Sequence, residues 1–319
     1  MRRGRFVVLG RVGMDLYAEP VGARLHEAGL FRAAIGGSAG NIAVALARQG
    51  AEAALLSRVS ADAVGLYCRT ELARYGVGCA LIADEPGEAR TSLAVTETTR
   101  TDTQVVLYRN GAADFTLTAA DVDRADFSAV AALIVTGTAL AKEPSRSASW
   151  AALRAARAAG AIVALDIDHR AYSWASAAEA RSVCTEFARA CDIVIGNDDE
   201  FGLLAGGHDR GEALAHALAA ESLFAVYKRG AQGCRTFTPD FSFATGIFPV
   251  DALKPMGAGD GFMGGLMAGL ALGLPLEAAL RRGAATAAII VAGFGCAPAS
   301  PTRAELEAFM SKTREIPCT

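Results

Sequence analysis

The run Gly257-Ala258-Gly259-Asp260, followed by the apolar, glycine-flecked stretch 261–272, carries the residue types that can do chemistry. It reads as a tight turn opening directly into a helix, with an aspartate in the first helical turn. At a helix start the unpaired backbone N–H groups and the positive end of the dipole point at one spot. Small residues let a phosphate approach that spot closely. A carboxylate beside such a cradle is a base at the point where a hydroxyl attacks phosphorus. The positive potential should lower the pKa of Asp260 and keep it ionised. The plainer alternative is a glycine turn whose aspartate merely caps the helix.

Four further clusters fall where a doubly wound sheet places its ligands, at the carboxyl ends of strands. Gly36-Gly37-Ser38-Ala39-Gly40-Asn41 is a glycine turn into a helix with Asn41 in the first turn, or simply a helix capped by Ser38. Asn197-Asp198-Asp199-Glu200 is an N-cap with an acidic first turn, or a site for Mg²⁺ and phosphate built from hard oxygens. Lys228-Arg229-Gly230-Ala231-Gln232-Gly233 is a strand end followed by a glycine turn, which taken alone is as well explained by a hairpin. Asp166-Ile167-Asp168-His169-Arg170 puts two carboxylates and a guanidinium where a buried strand emerges, an arrangement hard to explain as core.

Positioning these clusters requires a regular frame, and 319 residues suffice for one large α/β domain or two small ones. Apolar runs that read as strands are Phe6–Gly10, Ala53–Val59, Ala131–Thr136, Ala161–Ile167, Asp192–Gly196 and Leu223–Lys228. Helical patterns lie between them at Ser38–Gln49, Asp62–Tyr75, Ser145–Ala159, Ala175–Ala190 and Arg210–Ala220. The alternation predicts a mainly parallel sheet with helices on both faces. Residues 11–35 and 90–108 break the rhythm and read as antiparallel strands outside the main sheet, a flap over one edge. After Thr236 a short β segment, Gly246–Val250, precedes two long helices separated by Gly273-Leu274-Pro275.

Composition narrows the function class. A net charge of −3 argues against a nucleic-acid binder. No apolar stretch approaches the roughly 20 residues that span a bilayer, and the basic start Met1–Arg5 lacks the long apolar run of a signal peptide. Seven scattered cysteines form no C-x-x-C pair, and four histidines show no zinc spacing. A reduced, cytoplasmic protein acting on small molecules is expected. Gly10-Arg11-Val12-Gly13 after the first strand is not the G-x-G-x-x-G of a dinucleotide-binding oxidoreductase.

The order of the motifs is more specific than any one of them. G-G-x-x-x-N early, N-x-x-E in the middle, then K-x-G-x-x-G and G-A-G-D resembles the ribokinase-like (PfkB-type) carbohydrate kinases, over essentially the whole chain. Residues 11–17, 108–114, 166–170 with Trp174, 254–256 and 296–302 resemble a subgroup of that family acting on a keto-deoxy sugar acid. His169 stands where that subgroup usually has tyrosine, Ala171 and Ser173 alter the segment before Trp174, and Met256 replaces a smaller residue.

The resemblance implies a three-layer ribokinase-like α/β fold, a single domain over 1–319 with a discontinuous β-lid from about 11–35 and 90–115. It implies transfer of the γ-phosphate of ATP to a primary hydroxyl of an open-chain sugar acid. Asp260 would take the proton, and the N–H groups of Gly257, Ala258, Gly259 and Asp260 would hold developing charge. Asn197 and Glu200 would organise Mg²⁺ through water. Asp15, Gly37 and Asn41 would meet substrate hydroxyls, and Arg109 and Arg170 its carboxylate, Arg170 alternatively the γ-phosphate. Adenosine would lie near Lys228, Gly230, Gly233 and residues 288–295. Lys254 stands where many relatives place an aspartate of a monovalent-cation site, which implies no K⁺ requirement. A homodimer packed through the flaps is expected. The near alternatives are a 2-keto-3-deoxygluconate kinase or a fructokinase; from a different class, a non-catalytic sugar or nucleotide sensor.

Overall fold

The computed structural model describes residues 3–99, 102–253 and 256–318. In chain order, β1 (Arg5–Leu9) leads into an excursion of β2 (Gly13–Glu19) and β3 (Leu30–Gly36), and α1 (Ser38–Arg48) returns the chain to the body. Then come β4 (Ala53–Ser60), α2 (Ala63–Arg74), β5 (Ile82–Glu85), and a second excursion, β6 (Ser92–Thr96) and β7 (Val105–Tyr108). The short α3 (Ala119–Val122) is followed by β8 (Val130–Thr136), α4 (Ser145–Ala158), β9 (Ile162–Asp166), α5 (Ala177–Arg189) and β10 (Ile193–Asn197). The remainder is α6 (Asp198–Ala205), α7 (Gly211–Ala219), β11 (Phe224–Lys228), β12 (Cys234–Phe237), β13 (Ser242–Thr245), α8 (Ala258–Ala271), α9 (Leu276–Ala292) and α10 (Arg303–Lys312).

Among the described residues the main sheet has nine strands in the order β13-β12-β11-β10-β9-β8-β1-β4-β5. It is parallel from β11 to β5, and β12 and β13 add an antiparallel hairpin at one edge. Helices cover both faces, which is why the central strands read as unbroken apolar runs. One face packs on α1, α2, α8 and α9, the other on α3 to α7. The excursions form a separate four-stranded sheet, β3-β2-β6-β7. It is mixed rather than antiparallel throughout, since β2 and β6 run parallel. Gly246–Val250 is not a strand: apart from an isolated bridge at Ile247 its pairing role is taken by β13, four residues earlier. No helix among the described residues is long and apolar enough to cross a membrane.

Side chains alternate across a strand, so one face of the sheet can be followed to its carboxyl edge. Ile134, Ala164, Ile195 and Val226 all lie in the core on the α1 and α8 side. Two residues further along each strand, the same face presents Thr136, Asp166, Asn197 and Lys228. The apolar pattern therefore turns polar in one row, at the edge where α1 and α8 begin.

The start of α8 is brought to that row by close helix packing. Gly261, Gly265 and Gly269 recur every four residues on the side facing α9. A Cβ on Gly265 would lie 2.4 Å from Thr286 Oγ1, and one on Gly269 would lie 2.8 Å from Ala279 Cα. Gly264, on the adjoining side, would bring a Cβ to 2.4 Å from the Cβ of Ala45 in α1. Helix α8 is thus wedged between α1 and α9 at backbone distance.

Candidate active site

Gly257 forms the N-cap of α8 in a left-handed conformation, φ 84°, and no side chain caps the helix. A Cβ there would also meet Cys296 Sγ at 2.6 Å, so only glycine makes this turn in this place. The first intrahelical bond runs from Gly261 N–H to Gly257 O, at 3.0 Å. The donors before it have no intrahelical acceptor, as at any helix start. Asp260 does not cap: its Oδ2 accepts from Asn41 Nδ2 at 2.7 Å, joining the first turns of α1 and α8. The Gly257–Asp260 segment is half-buried and not covered by packing.

Opposite lies the segment after β9. Asp168 is buried and adopts φ 35°, a strained value for a residue with a side chain. Its carboxylate is fixed from three directions: Ser38 Oγ donates to Oδ2 at 2.5 Å, Thr138 Oγ1 donates to Oδ2 at 3.1 Å, and Arg170 Nη2 lies 2.8 Å from Oδ1. Arg170 stays half-exposed at the mouth, and the charge of Asp168 raises its pKa. Asp260 departs from the expected direction. Burial, and then the negative charge of Asp168, push its carboxyl up to about 7, against the Asn41 hydrogen bond and the charges of Arg170 and Lys228. Burial, with Asp168 acting across the cleft, outweighs the helix dipole.

Asn197 and Glu200 form a reciprocal capping box at the start of α6. Asn197 Oδ1 accepts from Glu200 N–H at 2.8 Å, and Glu200 Oε2 accepts from Asn197 N–H at 2.8 Å. Glu200 Oε1 also accepts from His169 N–H at 3.1 Å, which ties α6 to the strand end carrying Asp168. Lys228 points away from the hairpin turn that follows it: its Nζ lies 3.2 Å from where a Cβ on Gly259 would stand. Burial opposes its charge, yet Asp166, Glu200, Asp260 and Asp168 together raise its pKa. Gly230 and Gly233 sit in the β11–β12 hairpin turn with φ 55° and 80°. Cys318 Sγ donates to Gln232 O at 3.0 Å and to Thr245 O at 2.9 Å, so the C-terminal segment packs over that turn.

On the lid, Asp15 in β2 accepts from Tyr17 O–H at 3.3 Å and lies against Gly36, where a Cβ would fall 2.0 Å from its Oδ1. The Tyr17 phenol is pushed far above its usual range by burial first, then by the charges of Asp15, Cys296 and Asp260. Gly37, φ 87°, is the N-cap of α1; a Cβ there would meet Arg11 O at 2.5 Å. Arg109 does not join the cluster. It is buried, pairs with Asp114 at 2.5 Å, donates to Ser173 Oγ and Thr138 O at 3.1 Å each, and stacks on Phe115. A guanidinium so engaged is a brace under the lid, not a fork for an incoming carboxylate, because withdrawing it would strand the buried Asp114.

Sequence reasoning assigned no part in the site to Ser38, beyond a helix cap, or to Thr138 and Arg11. Arg11, at the foot of β2, donates to Ser92 Oγ at 3.0 Å and has no carboxylate within ion-pair distance among the described residues. Its signal was available: it opens the Arg11–Tyr17 stretch. Lys254 lies outside the described residues, so its place relative to a cation site is not part of this geometry.

The description "pfkB family carbohydrate kinase" matches residues 4–303. The chain belongs to the PfkB family of carbohydrate kinases. A 5-dehydro-2-deoxygluconokinase from Photobacterium profundum is 39% identical over 315 residues, 97% of this chain and 95% of that protein. One of the same name from Geobacillus kaustophilus is 32% identical, covering 97% of this chain and 94% of that protein. Among solved structures, fructokinase from Vibrio cholerae in its fructose-, ADP- and calcium-bound form superposes with a TM-score of 0.86 at 25% identity, covering 96% of this chain and 99% of that one. Within a PfkB kinase, the turn of α8 and Asp260 are the parts suited to phosphoryl transfer to an alcohol.

A base whose pKa is raised must still be ionised to work. We therefore expect kcat/KM of this kinase to fall about tenfold per pH unit below an acid limb near pH 7. In Asn41→Ala the limb moves to higher pH, because the hydrogen bond that favours the carboxylate is gone. A profile flat from pH 5 to 8 in the wild type would remove Asp260 as the titrating base.

Proposed function

We propose that this kinase transfers the γ-phosphoryl group of ATP to the primary hydroxyl of 5-dehydro-2-deoxy-D-gluconate, a step in the breakdown of myo-inositol in the cytoplasm. The observation that carries the reading is the ionisable Asp260 carboxylate at a helix start whose amides no side chain caps. The substrate oxygen forms its bond to phosphorus as the bond to the bridging oxygen of ADP breaks, and Asp260 takes the hydroxyl proton. The N–H groups of Gly257 to Asp260 donate to the phosphoryl oxygens as negative charge shifts onto them. Asp15, Gly37 and Asn41 face the sugar hydroxyls. Its carboxylate is met by Arg170 and, in place of Arg109, by Arg11 at the foot of the lid. Adenosine lies along the β11–β12 turn at Gly230 and Gly233.

Mg²⁺ asks for hard oxygens and keeps several waters. Glu200 and Asn197 fit that demand: backbone N–H bonds hold their oxygens rigid, and the buried Asp166 carboxylate lies within their field. Both would hold the ion through water, and when bound it would neutralise phosphate charge. We further propose that no K⁺ is needed, with the Lys254 ammonium in the cation's role.

The lid supports a dimer. Its two edge strands, β3 on one side and β7 on the other, expose Leu30 and Phe31, and Val105, Val106 and Tyr108, as apolar residues on bare strand edges.

Three measurements test these readings. With 5-dehydro-2-deoxy-D-gluconate, 2-keto-3-deoxygluconate, fructose and ribose offered to the wild type, ADP release is fastest for the first, and Asp260→Asn lowers kcat on the order of 10³-fold. A higher kcat/KM for fructose would overturn the acid substrate. Replacing Na⁺ by K⁺ at constant ionic strength leaves activity unchanged; a severalfold rise counts against Lys254. Sedimentation gives a dimer that Phe31→Glu with Val106→Glu converts to monomer, whereas a monomeric wild type refutes the lid contact.

A further inference from the structure

We infer that Tyr17 determines specificity for a deoxy carbon in the substrate: by donating to Asp15, its hydroxyl stands in for the one the sugar acid lacks. The inference rests on the sugar-acid reading above and adds to it the residue that reads the missing hydroxyl.

Asp15 and Tyr17 lie two residues apart in β2, an interior strand of the lid sheet, and so share a face. Directly opposite Asp15 on its two neighbouring strands are Ala34 of β3 and Ala94 of β6, which share that face too. Alanines add only a methyl group each, so the carboxylate and the phenol are the groups that project there. Tyr17 is buried, with its ring edge-on to Phe294 at 4.8 Å between centroids, and the Arg32 guanidinium covers Phe294 at 4.7 Å. Two residues beyond Phe294, Cys296 Sγ lies 3.9 Å from Asp260 Oδ2. A three-residue segment thus joins Tyr17 to the first turn of α8, and the face carrying Asp15 and Tyr17 is the one turned toward Asp260. The phenol donates to Asp15 Oδ2 at 3.3 Å. Burial and the negative charges around it keep it protonated, so it remains a donor.

A carboxylate offers two oxygens, which suits hydroxyls on two adjacent carbons. If one of those carbons bears only hydrogen, the oxygen facing it is desolvated and left without a donor. A site of that kind turns a deoxy substrate away. 5-Dehydro-2-deoxy-D-gluconate has no hydroxyl at C2. In this lid the donor for Oδ2 comes from the protein, so a deoxy carbon placed against Asp15 strands nothing. An extra hydroxyl at that carbon instead meets an oxygen already engaged by a phenol that Phe294 holds in place.

The experiment measures kcat and KM of wild type and Tyr17→Phe on 5-dehydro-2-deoxy-D-gluconate and on 5-dehydro-D-gluconate, the same acid with a hydroxyl at C2. The substitution keeps a ring against Phe294 and removes only the donor. The wild type favours the deoxy acid. In Tyr17→Phe, kcat/KM for the deoxy acid falls on the order of 10- to 100-fold, as for an acceptor left stranded, and the loss lies in KM rather than kcat. For the hydroxylated acid it stays level or rises, so the preference shrinks. An equal loss on both acids would make Tyr17 a packing residue of the lid and overturn the inference. A wild type that uses both acids equally well would overturn it without any variant, even if Tyr17→Phe does not fold. A wild type inactive on both acids yet active on fructose fails the substrate proposal, and the deoxy carbon goes with it. Activity on both acids without preference fails the inference alone.

Discussion

The site depends on a helix start being held, uncapped, against the carboxyl edge of a buried sheet. Unpaired amides are a cost wherever they are buried without partners, so a chain tolerates such a start only where other packing fixes it. Here the glycines at 261, 265 and 269 let α8 approach α9 at backbone distance, and Gly264 does the same toward α1. Few side chains intervene to flex. The amides are consequently presented as a rigid set, which is the condition for electrostatic stabilisation without reorganisation.

Around that start the charges are unequal. Asp166, Asp168, Glu200 and Asp260 gather with Lys228 and Arg170, and burial raises the pKa of both Asp166 and Asp260. A triphosphate entering this ground adds negative charge to it. On the function proposed above, the amides, the two cations and a divalent ion arriving with ATP would share the compensation. Such a site would favour a nucleotide arriving with its metal over the bare anion. It also explains why the acids are pinned by backbone and hydroxyl donors: Glu200 accepts two N–H bonds and Asp168 two hydroxyls. So held, Glu200 does not swing onto Lys228 and close the cleft, and Asp168 engages Arg170 at the mouth.

Much of this was legible in the chain itself. Strands covered on both faces announce themselves as apolar runs, and β1, β4, β8, β9, β10 and β11 lie within one or two residues of those runs. The β12–β13 hairpin escaped because four-residue strands carry too short a pattern, and the same holds for β5. The parallel pairing of β2 with β6 joins segments some eighty residues apart, and nothing local encodes it. Side-chain partners were the least readable feature. Arg109 reads as an available cation until Asp114, five residues on, is seen to fold back against it where both side chains are buried. Lys228 reads as part of a glycine loop, whereas its direction is set by strand alternation and by the absence of a side chain at Gly259, thirty-one positions later.

The sign of the Asp260 shift shows the same division between local and distant causes. The helix start, Asn41, Arg170 and Lys228 favour the charged carboxylate; burial and Asp168 favour the protonated one and prevail. Asp168 can exert that influence only because it is held in place, at a strained φ, by Ser38, Thr138 and Arg170. Those partners come from α1, from the turn after β8 and from the segment after β9, so three parts of the fold fix one charge opposite Asp260. A base poised near neutrality is stronger than an ordinary aspartate while still being ionised at working pH, the compromise that proton transfer favours. Backbone strain at residue 168 and basicity at residue 260 are therefore two ends of one arrangement, since any relaxation that frees the first weakens the hold on the second.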